Sequence, residues 1–171
     1  MEVMIDKMRI IISIIFISMI ANGCGLVDSN SNLKINNNPS FTITDTTGYS
    51  KTTFSPGEHF DLSFTYVNTT TDTLTYIRGS SAPPVIFEIL KDDIVIASSV
   101  DGYSFVQVLL GGHLTPKDTL KGQWQAPNTQ YQYPKAILTP GLYQAKVIFP
   151  TFGQTAASSH LDIAFSIVQK D

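Results

Sequence analysis

One cysteine, one tryptophan and three histidines stand in 171 residues. A single thiol forms no internal disulfide, so stability must come from packed apolar side chains. His59, His113 and His160 lie far apart, with no HExxH or His-x-His spacing and no second cysteine. No metal site is expected from such a set, because zinc sites need several ligands at matched spacing. The chain has no Gly-x-Ser-x-Gly elbow and no phosphate-binding loop, and nothing in it assembles a nucleophile, a base and an orienting group. No enzyme activity and no cofactor are expected. Charge is sparse as well, at 15% of residues and net −3. Nucleic-acid binding calls for clustered Lys and Arg, which are missing. Helical periodicity is absent after the first two dozen residues, and without crossover helices a parallel α/β fold is excluded.

What is present begins with an apolar run from Ile10 to Ala21, preceded by Lys7 and Arg9 and followed by Asn22-Gly23-Cys24. A short basic segment, an apolar core and small residues ahead of a cut site make a secretory signal. With cysteine first after the cut, the segment looks like a bacterial lipoprotein signal, which implies lipid on Cys24. Ala21 stands where such signals prefer Leu. Glu2 and Asp6 are unusual in a basic segment, and Met8-Arg9 would make a cleaner start. Two other readings are a retained membrane-spanning helix and an ordinary buried thiol at Cys24. The run is too short for the first, since spanning takes about 20 apolar residues. Residues 1–23 are therefore expected to be a signal peptide, with the mature chain held to a membrane through Cys24, in the cell envelope and outside the cytoplasm.

Beyond Cys24 there are nine basic and twelve acidic residues, and enough chain for one domain. Residues 24–40, ending in Asn- and Ser-rich sequence, read as a flexible tether. From Phe41 onward period-2 alternation dominates. Phe60, Leu62, Phe64 and Tyr66 share one face, opposite Asp61, Ser63 and Thr65. Further strands are expected at Leu74-Tyr76, Val85–Leu90, Ile94–Ala97, Tyr103–Leu110, Thr119–Gln125, Leu142–Phe149 and Leu161–Val168. Weaker ones fall at Phe41–Thr44 and Lys51–Phe54. Lys91-Asp92-Asp93 reads as a hairpin turn and Gly111-Gly112 as a turn beside a solvated His113. In the last strand Leu161, Ile163, Phe165 and Ile167 should be buried and Asp162 and Ser166 exposed. The fold class is all-β: an immunoglobulin-like antiparallel β-sandwich over 41–171.

A further order runs through these strands. Phe64-Thr65-Tyr66-Val67-Asn68 ends a strand in Asn; Leu74-Thr75-Tyr76, Val85-Ile86-Phe87-Glu88-Ile89 and Ser98-Ser99 follow, then Gly102 and Phe105. Leu114-Thr115-Pro116 precedes the strand holding Trp124, and Pro140-Gly141-Leu142-Tyr143 opens a late strand. The succession, over residues 58–149, resembles the BsuPI-type intracellular proteinase inhibitor domain. That resemblance implies a β-sandwich that binds a protease or another envelope protein. The chain differs from the family at two places: Pro116-Lys117-Asp118 stands for its usual Pro-Gly-Glu, and Arg78 to Pro84 replaces a short Ser-Gly-Gln turn.

The expected binding loop is Ser80, Ser81, Ala82, Pro83 and Pro84, stiffened by consecutive prolines. The competing reading is that the prolines blunt a sheet edge. Other long loops are expected at 126–136 and 150–159. An alternative function from another class is a structural or adhesive surface module, sugar-binding through Tyr131, Tyr133 and Phe152. Most single motifs also have plain roles: Asn68 closing a turn, Tyr143 in the core or bonding back to a corner, and Trp124 anchoring the core.

Overall fold

The computed structural model describes residues 39–127, 136–153 and 155–169. The signal peptide, Cys24 and nearly all of the tether lie outside them, as do Tyr131 and Tyr133. The described residues form ten strands and no helix. In chain order they are β1 (Ser40–Asp45), β2 (Thr53–Phe54), β3 (Phe60–Val67), β4 (Leu74–Arg78) and β5 (Ile86–Lys91). After these come β6 (Ile94–Ser98), β7 (Leu110–Leu114), β8 (Thr119–Ala126), β9 (Gly141–Pro150) and β10 (Ser158–Ile167). Ser40, assigned to the tether by composition, already pairs with Thr65 in β1.

Three sheets result: β1-β3-β8, β2-β10-β9-β5-β6, and the pair β4-β7. All named pairings are antiparallel except β2 with β10, which is parallel. Side chains of the first two sheets meet in one apolar core, the arrangement of a β-sandwich. Phe60, Leu62, Phe64 and Tyr66 are all buried, as the alternation in β3 demands. Their rings meet the other sheet directly: Phe64 stacks on Phe149 at 4.7 Å, and Phe60 lies 5.0 Å from Phe165. Trp124 is buried in β8, facing Leu62 across the ladder. In β10 Phe165 and Ile167 are buried, but Leu161 and Ile163 are only half-buried against the core, and Ser166 is half-buried too. Burial thus fades toward the Ser158 end of that strand.

Turns follow residue chemistry. Asp92 and Asp93 sit at φ +51° and +62°, the left-handed geometry of a two-residue hairpin loop, and Asp tolerates it. Asn68 is fully buried. Its Nδ2 donates to the carbonyls of Asp72 and Leu114 at 2.8 and 2.9 Å, and its Oδ1 accepts from the Thr70 N–H and hydroxyl. The Tyr143 hydroxyl donates to the Thr139 carbonyl at 2.7 Å, four residues upstream.

Two expectations fail together. Tyr103 to Leu109 forms no strand, and the strand that follows, β7, runs through Gly111, Gly112 and His113. Apolar residues on successive positions of 103–110 suit neither face of a half-buried strand. Gly112 instead pairs with Tyr76, whose ring lies over it; a Cβ on Gly112 would fall 2.2 Å from the ring's Cζ. The bare backbone is what lets the tyrosine lie flat across β7. The prolines at 83–84 do not guard an edge either, since β5 lies between β9 and β6.

Candidate functional site

The loop from Gly79 to Val85 joins β4 of the two-stranded sheet to β5 of the five-stranded one. Its conformation is fixed by its own polar groups. An Nη1 hydrogen of Arg78 is donated to the Ala82 carbonyl, closing the loop on itself. The Ala82 N–H donates to Ser80 Oγ at 3.3 Å. Ser81 makes the outward connection: its N–H donates to the Val106 carbonyl at 2.9 Å, and Ser81 Oγ accepts from the Val106 N–H at 3.0 Å. The loop is thereby stitched to the irregular stretch 103–109. Where a strand would have offered ladder partners, Ser81 supplies both halves of one.

All five predicted loop residues are described. Ala82 is buried, Ser80 and Pro84 half-buried, Ser81 and Pro83 exposed. Pro83 and Pro84 line two hollows that share no other residue. One is a cleft of about 120 Å³ lined by Arg78 and Ser80, by Ile86, Ile148 and Pro150, and by Ala156 and Ala157. The other, about 230 Å³, is bounded by Val85, Ser99, Lys121 and Gln123. The two prolines therefore form a ridge between hollows. Sequence reasoning singled out the two prolines but missed Arg78, treated only as the start of an insertion, and missed Val106, read as strand. The signal for Arg78 was its position as a lone cation beside an apolar stretch.

Phe152, one of the three aromatics in the sugar-binding alternative, is engaged in packing. Its ring lies 4.4 Å from Tyr66 and 5.8 Å, edge-on, from Tyr76. Tyr131 and Tyr133 are outside the described residues.

Carboxyl environments are those of turns and strands. The Thr115 hydroxyl and N–H hold Asp118 below the ordinary range, and the Thr47 hydroxyl does the same for Asp45. Burial raises Glu88, against the attraction of Lys146. Among the described residues no three His, Cys, Asp or Glu side chains gather to hold a metal ion. No family model matches the chain, and no curated protein does.

Proposed function

We propose that this chain is a lipid-anchored, extracytoplasmic, non-catalytic binding module. Its folded part is read as an immunoglobulin-like sandwich akin to the BsuPI-type proteinase inhibitor domain. The observation that carries the reading is the proline ridge. Ser81 and Pro83 are presented to solvent on a loop already closed by Arg78 and stitched to Val106. A loop ordered before binding loses little entropy on docking, which is what a protease-blocking loop requires.

Two further features support the parts of this reading. Lys117 sits at φ +72°, the left-handed geometry that favours glycine, at the position where the family has Gly. The bond from Tyr143 back to Thr139 has the form of the tyrosine corner of immunoglobulin-like sandwiches. The partner is a protease or another envelope protein, and Cys24 supplies the membrane attachment.

At micromolar concentration the purified chain should slow at least one member of a serine-protease panel. Replacing Ser81 to Pro84 with glycines removes both prolines and the bond from the Val106 N–H to Ser81 Oγ, and leaves the backbone bond from residue 81 to the Val106 carbonyl possible. It should relieve that inhibition while leaving the unfolding transition cooperative. Undiminished cleavage across the panel in the presence of folded protein would refute the inhibitor reading.

A further inference from the structure

We propose that the cleft behind the proline ridge is a carboxylate-binding site anchored by Arg78. This inference concerns the inner side of the loop and stands whether or not the ridge meets a protease. Arg78 is half-buried, and of its five N–H groups one is committed to the Ala82 carbonyl. Its Nε is buried with no acceptor among the described residues. Among the described residues no carboxylate forms an ion pair with Arg78. Every other residue lining the cleft is uncharged. The buried Nε is beyond an anion's reach, but the Nη hydrogens not given to Ala82 remain, and an anion paired with them offsets the cost of a partly desolvated charge.

The cleft's shape and chemistry narrow the anion. A guanidinium fork matches the two oxygens of a carboxylate. One cation suits one negative charge better than the two of a phosphate monoester. Ile86, Ile148, Pro150, Ala156 and Ala157 line the cleft with apolar side chains, so the group beside the carboxylate is short and aliphatic. The volume, about 120 Å³, is well below the roughly 300–1,000 Å³ of pockets that enclose a whole drug-sized ligand. What fits is the end group of something larger: a peptide C-terminus with a small aliphatic residue, or a Glu side chain on a partner. Both offer the same carboxylate.

The test uses the full chain in detergent, titrated into dye-labelled tripeptides and read by fluorescence anisotropy. The peptides are Gly-Val-Ala with a free carboxylate, the same peptide amidated, and an amidated Gly-Val-Glu. Binding of the first marks chain-end capture, binding of the third marks side-chain capture, and the amidated Gly-Val-Ala should stay unbound. Arg78→Gln should weaken the carboxylate-dependent binding by about tenfold or more, the scale of a lost charged hydrogen bond. Arg78→Lys should restore only part of it. Ala157→Phe fills the cleft from its exposed wall and leaves the Arg78–Ala82 bond in place, so it should abolish binding even if Arg78→Gln loosens the loop. Equal binding of acid and amide, no binding of either carboxylate peptide, or parent-like binding by Ala157→Phe would overturn the proposal.

Discussion

β3 and the stretch from Tyr103 to Leu110 carry similar apolar content, yet they behave in opposite ways. In β3 Phe60, Leu62 and Phe64 are followed by Asp, Ser and Thr, and every apolar side chain through Tyr66 is buried. In 103–110 apolar residues fall on both parities. Val106 and Leu109 are 69% and 74% exposed, and only Leu110 enters a strand. Apolarity alone therefore does not make a strand; alternation does, because a sheet covers one face at a time. Freed from a ladder, the stretch turns its backbone at Val106 toward Ser81, and that connection holds the candidate loop. The irregular region is what anchors the proline-containing loop.

Truncation at matched apolar sites in the two regions should give the largest contrast. Phe165 is buried, with its ring 5.0 Å from Phe60 and 5.5 Å from Tyr143. Phe165→Ala should destabilise by about 3–5 kcal/mol, the range for a buried aromatic. Val106→Ala, made at an exposed residue whose tie to Ser81 uses backbone atoms, should stay within about 0.5 kcal/mol. Urea unfolding of both variants measures the difference. Comparable losses would mean that the 103–110 stretch is packed against something in solution.

The same contrast governs what could be read from sequence. Eight of the ten strands were legible because polar residues alternate with apolar ones or because turn residues bracket them, as Asp92-Asp93 brackets β5 and β6. β2 was legible too, though reduced to two residues. β7 was not, since Gly111-Gly112 reads as a turn until Tyr76 is placed over it. The loop was visible through Pro83-Pro84, whose constraint is local. The roles of Arg78 and Ser81 were hidden, because their partners, Ala82 and Val106, are set by how the chain folds back and not by spacing. The depth of the cleft was hidden for the same reason: Ile148 and Ala157 arrive from β9 and the loop after it, some 65 or more residues on.

Asn68 couples the well-patterned core to the irregular flank. It directly follows β3, and its side chain reaches the Leu114 carbonyl at the end of β7. Its backbone exchanges bonds with the turn before β8: Asn68 N–H to Asp118 O at 2.9 Å and Lys117 N–H to Asn68 O at 2.8 Å. Asn68→Ala orphans the buried end of that network, at about 1–3 kcal/mol for each buried partner left unpaired. The loss should be uneven. Amide hydrogen exchange should quicken most in β4 and β7, while β9 and β10 keep near-parent protection relative to the lowered global stability. Uniform acceleration would show that the two-stranded sheet unfolds only with the core and is no separate unit.

Within the flank, the two glycines of β7 give a smaller and more local contrast. Neither has a positive φ, so neither is required for backbone conformation. They differ in what covers them. A Cβ at Gly111 would meet nothing within 4 Å, whereas at Gly112 it would fall 2.2 to 2.6 Å from three atoms of Tyr76. Phe152 packs edge-on against that ring, so Tyr76 cannot swing aside freely. Gly111→Ala should therefore change stability by no more than about 0.5 kcal/mol, as surface substitutions do. Gly112→Ala should cost about 1–3 kcal/mol, as overpacking does. If the ring is the cause, adding Gly112→Ala to a Tyr76→Ser background should cost much less than adding it to the parent, since contacting residues couple in a double-mutant cycle. Equal penalties at 111 and 112 would return Gly111-Gly112 to the turn that the sequence alone suggests.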